Sequence, residues 1–323
     1  MSAVADAIAA LPGSLERTLA AAQELDAAAE LLGRARRILV TGNGASYYAG
    51  LLAALAALET QVDLQAVPSG LLPTVARRHG DAAVAVSVSG EFRDLVEAVE
   101  TGVLPRPLVA VTAARDSTLA RAADAVVPLA VEEHPTETHP QDFCNAALGC
   151  LAVLARLAGD RGLQALLETL PGVVAATTAA VAGWLPDVER PEAAVCAGHG
   201  AAWAGGLELA LLLKEVARVP AEGLDTREAS TSALTGLHDR CLVVALASRG
   251  DPFLDEARGL WSSSGARYVE IPFGVALDPR IVPIACFPAG AALAVSLARR
   301  AGLDADHPWW VPAYMSTARR HAR

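Results

Sequence analysis

Two glycine-rich turns and one acidic helix hold most of the chemistry this sequence could perform. After the apolar run Ile38, Leu39, Val40 the chain reads TGNGASYYAG, which puts Gly42, Gly44, Ala45 and Ser46 between an expected strand and an expected helix. A second turn, SVSGEFRD, follows the run AVAV and puts Ser87, Val88, Ser89 and Gly90 in the same kind of place. Hydroxyls and backbone N–H groups at a strand end, just before a helix N-terminus, make a cradle for an anion. A dinucleotide fingerprint would want a third glycine at position 47, and Tyr47 stands there. A phosphate fits the two turns better, and the plain alternative is that the glycines only make tight turns. Further along, Lys214, the only lysine of the chain, precedes Glu215. Adjacent helical residues point about 100° apart, so Lys214 is open between a role at the site and a solvent-facing position. Glu208, two turns earlier, shares the face of Glu215 and either tunes it or holds a structural ion pair. His238, in LTGLHDR, is open between the site and an ordinary turn.

The elements that must position these residues repeat. LPG at Leu11 recurs at Leu170, each time expected to open an alanine-rich helix, and ILVTGNGASYYAG recurs as AAVCAGHGAAWAGG, so that Gly42 and Gly44 match Gly198 and Gly200. Short apolar runs alternate with helical stretches in both halves, the pattern of parallel sheets covered on both faces. Expected strands lie at 38–41, 62–67, 82–88, 108–112 and 125–129, then at 193–197, 242–247, 268–272 and 281–286. The expected fold class is α/β, with two tandem domains at 1–165 and 166–323.

Composition bounds the function. A net charge of -10 opposes a nucleic-acid partner, because phosphate backbones need a basic stripe. The start of the chain lacks a basic leader and no uninterrupted apolar run is long enough to span a bilayer, so a cytoplasmic protein without membrane contact is expected. Cys144, Cys150, Cys196, Cys241 and Cys286 fall inside apolar stretches without CxxC spacing and read as small buried hydrophobes. No metal site or cofactor is expected.

The motifs GNGASYYA, SVSGEFRD and GHGAAWAGGLELALLLKEVARVPAEG, with the tail GLDADHP, resemble the double SIS (sugar isomerase) domain family. That family includes the isomerase half of glucosamine-6-phosphate synthase and related phosphosugar deaminases and deglycases. The resemblance implies a flavodoxin-like fold in each half, a phosphosugar as ligand with its phosphate on Ser46, Ser87 and Ser89, and a homodimer whose subunits complete each other's sites. It also implies that Glu215 is the general base that moves a proton between sugar carbons 1 and 2 through an enediol.

Departures from the pattern qualify this. Thr231 stands where the isomerases carry a ring-opening histidine, and a threonine cannot shuttle that proton at neutral pH. Phe92 replaces a phosphate-binding threonine, and TETHPQDFCNAA replaces the usual serine-threonine-lysine run, leaving Glu137, Thr138 and His139 as possible sugar contacts. The tail lacks a lysine and offers Trp309 and Trp310, which could stack on a ligand or cap a core. Arg249, at the matching turn of the second half, is open between pairing with a carboxylate or phosphate and a surface position. Three readings follow: a phosphosugar isomerase or deaminase, a non-catalytic phosphosugar-binding protein, and an enzyme acting on an unusual sugar-like ligand.

Overall fold

The first five strands pair only in parallel, as runs buried on both faces require. In the computed structural model, which describes residues 2–74 and 80–318, they are β1 (Ile38–Gly42), β2 (Leu64–Pro68), β3 (Ala82–Val86), β4 (Leu108–Thr112) and β5 (Ala125–Pro128), in the order β2-β1-β3-β4-β5. All residues of β1, β3 and β4 are buried, which is why ILV, AAVAV and LVAV read as continuous apolar runs without alternation. The helices of this unit include α3 (Ala22–Leu32), α4 (Ala45–Ala57), α5 (Arg93–Glu100), α6 (Thr118–Ala122), α7 (Pro140–Leu157) and α14 (Val311–Ala318), numbered in chain order after α1 (Ala3–Ala9) and α2 (Leu11–Leu19). Leu39, Ala85, Leu95, Leu108 and Leu119 join sheet and helices in one core. Gly50 brings α4 onto β1, since a Cβ there would lie 2.7 Å from Val40 Cγ2. It fills the packing role that a dinucleotide fingerprint would give to a glycine at position 47.

A four-stranded parallel sheet forms the second unit, ordered β7-β6-β8-β9 from β6 (Ala193–Gly198), β7 (Ala221–Asp225), β8 (Cys241–Leu246) and β9 (Arg267–Ile271). Its helices are α9 (Trp203–Ala217), α10 (Thr226–Ser230), α11 (Leu254–Ser263), α12 (Val282–Ala285) and α13 (Phe287–Arg300), and Trp261 is the largest side chain of its core. Two expectations fail here. The buried apolar run 281–286 is helical, because Pro283 has no N–H for a ladder and instead opens α12. The strand that completes the sheet is AEGLD, unrecognised because two acids and a glycine suit a half-exposed edge.

The connection between the sheets is α8 (Arg161–Trp184), which runs through Pro171 without a break, so LPG at Leu170 does not open a helix. Among the described residues α8 is the one helix long and apolar enough to cross a membrane by length and composition. Its buried positions Leu163, Leu167, Leu170, Val174, Thr177 and Val181 recur at helical spacing, the stripe of a helix packed along one side.

The compact units interleave in sequence. The first comprises Pro12–Glu133, Gln141–Pro171 and the chain from Trp309, and the second comprises the chain up to Leu11, His134–Pro140 and Gly172–Pro308. All five cysteines are buried and free, and burial pushes the Cys150 and Cys286 thiols up to about 12.

Candidate functional site

In the first unit, β1 and β3 are neighbours whose connections leave in opposite directions, so a crevice opens at their carboxyl ends. Gly42 turns the chain there, and a Cβ on it would meet Ser46 C and Tyr47 N at 2.8 Å. Gly44 has φ 51°, a left-handed conformation that suits glycine, and the N–H of Ser46 donates to Asn43 O at 3.1 Å. Ala45 and Ser46 therefore open α4, half-buried, at the lip of the crevice.

Across from them, Ser87 is buried and its Oγ accepts from the N–H of Gly90 at 3.1 Å, while Ser89 Oγ accepts from the N–H of Glu91 at 3.3 Å. These two backbone donors are thus engaged by the serine oxygens, and the hydroxyl hydrogens are what the turn can offer an anion. Gly90 has φ 63°, and a Cβ on it would fall 2.0 Å from Ser117 Oγ. The turn is braced from the next strand: the N–H of Ala113 and Thr112 Oγ1 both donate to Val88 O at 3.0 Å, and Glu91 Oε1 accepts from the N–H of Thr118 at 2.6 Å. Phe92 precedes α5 and packs half-buried against the core. The tail of the same unit has Trp309 64% exposed, and Trp310 meets Tyr314 edge-on at 5.3 Å.

In the second unit, Lys214 and Glu215 lie in the last turn of α9. Lys214 is exposed and Glu215 half-buried. Desolvation pushes the Glu215 carboxyl up to about 7, against the opposing pull of the Lys214 charge. Glu208, 5% exposed, lies on the same helix two turns back. The loop before β8 holds His238, which is exposed and accepts from the N–H of Arg240 at Nδ1, 3.3 Å. Helix α9 leaves the carboxyl end of β6 and returns to start β7, so Glu215 and His238 both belong to the amino edge of the sheet. Thr231 follows β7 and α10, and its hydroxyl donates to Arg227 O at 2.8 Å.

The loop carrying Glu137 and His139 is held by alternate residues. Thr136 Oγ1 donates to Asp306 O at 3.1 Å, Thr138 Oγ1 donates to Ala305 O at 2.7 Å, and the N–H of Glu137 donates to Asp306 O at 2.7 Å. Both threonines are buried, which turns Glu137 and His139 outward. Thr138 is therefore a structural tie. Asp306 also accepts from the N–H groups of Ala3 and Val4 at 3.2 and 2.8 Å.

Sequence reasoning missed a dyad at the carboxyl edge of the second sheet. His199 Nδ1 lies 3.1 Å from Asp225 Oδ2, which also accepts from the N–H of Gly200 at 3.3 Å. The available signal was GHG in register with GNG, but Asp225 lay in the unrecognised β7. Arg249, at the next strand end, lies 3.8 Å from Asp278, which Arg280 grips more closely at 2.8 Å.

The crevice flanked by glycine turns and serine hydroxyls, at the switch point of the five-stranded parallel sheet, lies in the part of the chain that matches a known domain. Residues 31–157 match the SIS domain. Over 234 residues, 67% of its length, the chain is 30% identical to the glutamine–fructose-6-phosphate aminotransferase (isomerizing) of Pyrobaculum aerophilum, and it spans 38% of that relative. Among solved structures, the C-terminal domain of glucosamine-fructose-6-phosphate aminotransferase from Francisella tularensis superposes with a TM-score of 0.81 at 19% identity, covering 95% of this chain and 98% of that one. Glucosamine-6-phosphate deaminase from Thermotoga maritima does so with a TM-score of 0.80 at 18% identity, covering 95% and 98%. The SIS domain accounts for the first sheet, and the α/β fold with two parallel sheets is shared along nearly the whole chain.

Proposed function

We propose that this protein is a phosphosugar isomerase or deaminase in which Glu215 is the general base and Ser46, Ser87 and Ser89 hold the phosphate. The observation that carries the reading is the Glu215 carboxyl, raised to about 7 by burial. A base with that affinity can take a proton from carbon 2 and return it to carbon 1 near neutral pH, because both its forms are populated there. The serine hydroxyls supply donors for a phosphate, and the glycines at 42, 44 and 90 permit the tight turns that carry them. The second sheet repeats the strand order of the first four strands, which supports a second SIS domain and a division of labour between copies. The reading includes a homodimer, measurable by sedimentation.

The test is incubation with hexose 6-phosphates and their 2-amino derivatives in deuterated water, with NMR detection of label at carbon 2. Incorporation is expected and should fall by at least about 100-fold in Glu215→Gln, the scale of a lost general base. Undiminished exchange in that variant removes the assigned base. A second reading, a phosphosugar binder without catalysis, is favoured by one observation: Thr231, where isomerases carry histidine, spends its hydroxyl on Arg227 O. Binding of hexose phosphates without exchange for any substrate would establish it.

A further inference from the structure

The second unit contains a cavity of about 260 Å³ that none of the candidate site residues lines. Three helices flank it: Ile8 comes from α1, Val181 and Leu185 from the end of α8 and just beyond, and Ala292, Val295 and the exposed Arg299 from α13. Small residues at the junction leave the space. The wall is mainly apolar, and Leu185 at its mouth is 36% exposed. Two of its hydroxyls already serve the backbone, since Ser2 Oγ accepts from the N–H of Ala5 at 3.4 Å and Thr178 Oγ1 donates to Val174 O at 2.8 Å.

Charge gives the cavity its character. No aspartate or glutamate lines it, and its one ionic group is Arg299. The neighbouring Arg300 pairs with Asp187, whereas Arg299 has no carboxylate partner among the described residues. An apolar wall with one unpaired guanidinium complements a ligand that has an apolar body and one negative end. Size narrows it further. An apolar cavity of about 150 Å³ accommodates benzene, so this one suits a ligand of roughly ten non-hydrogen atoms.

We propose that this cavity binds a small amphiphilic monocarboxylate, with its chain between α1, α8 and α13 and its carboxylate on Arg299. The site is independent of the sugar-phosphate reading. A free carboxylic acid is the occupant, since a volume of about 260 Å³ takes one short chain.

Calorimetric titration of the full chain with octanoate and, as the neutral isostere, 1-octanol tests it. One octanoate per chain is expected, binding tighter than octanol, with affinity about tenfold lower in Arg299→Gln for loss of a charge-assisted contact. Ala292→Phe, which fills the cavity, should abolish binding of both ligands. Neither substitution should change binding of hexose phosphates. Absence of saturable octanoate binding, or equal affinity in wild type and Arg299→Gln, overturns the proposal. So does a sedimentation result in which Ala292→Phe splits a wild-type dimer, because the groove would then be an interface between copies.

Discussion

Glu215 ties the proposed chemistry to a measurable cost in stability. Its carboxyl is raised from 4.5 to about 7 in the folded state, so the folded protein keeps this proton to higher pH than the unfolded chain does. The associated stability is complete below about pH 4.5 and is lost as pH rises through 7. Glu215→Gln should therefore be more stable than wild type at pH 8, by up to about 3 kcal/mol, and about equal to it at pH 4 to 5 in urea unfolding. Equal stability at both pH values would mean that the carboxylate is solvated. The same ionisation predicts that kcat/KM climbs on the acid side with a midpoint near 7, since only the ionised form accepts a proton. Thr41 gives a contrasting case: its Oγ1 is buried at the end of β1 and has no hydrogen-bond partner among the described residues. Thr41→Val removes an unsatisfied hydroxyl at little change in shape and should raise stability by about 1 kcal/mol, read as a shift in the urea midpoint. The glycines and serines of the first crevice were legible because glycine at a strand end has few other uses. The threonines of TETH were not, because alternation of buried Thr136 and Thr138 with exposed Glu137 and His139 depends on a partner segment about 170 residues away.

Elements were legible where both faces of a strand are buried and obscure at an edge. All five strands of the first sheet were found within about two residues because continuous apolar runs mark interior parallel strands. The run 281–286 has the same composition, and only the position of Pro283 separates a buried helix from a buried strand there. Strand β7 shows the opposite failure. Gly223, which weakens a strand reading, is what lets α9 lie on the sheet: a Cβ there would come within 2.4 Å of Leu207 Cα. Gly223→Ala should push α9, with Glu215 on it, away from β7. The expected cost is about 2–3 kcal/mol, together with a loss of exchange activity in the deuterium assay. Gly172→Ala is the control, since it sits inside α8 with nothing within 4 Å of the added carbon. Relief of glycine's backbone entropy should stabilise that variant by up to about 1 kcal/mol. If both substitutions have the same effect, close approach at Gly223 does not govern the element.

For the whole molecule, the consequence of interleaving is that half the sequence is not half the fold. The second unit draws α1 and the loop 134–140 from the amino-terminal half of the chain. Asp306 carries much of this join, accepting from Ala3 and Val4 at its carboxylate and from Thr136 and Glu137 at its carbonyl. Val4, Ala7 and Ile8 are buried as well, at 1%, 1% and 7% exposure, so α1 contributes apolar packing besides its hydrogen bonds. A fragment of residues 166–323, the natural cut by sequence symmetry, leaves these partners behind. Five hydrogen bonds, the four at Asp306 and the one from Thr138 Oγ1 to Ala305 O, at about 1 kcal/mol each, plus the buried face of α1, approach the whole stability of an ordinary domain. The fragment should accordingly lack a cooperative thermal transition, or melt at least about 15 °C below the corresponding transition of the full chain. Asp306→Ala in the full chain removes only the two carboxylate contacts to α1 and should cost about 2 kcal/mol, a smaller fall in the same transition. Calorimetry of the three proteins decides the matter: a fragment that melts like the full chain would make α1 and the loop passengers on a self-sufficient domain.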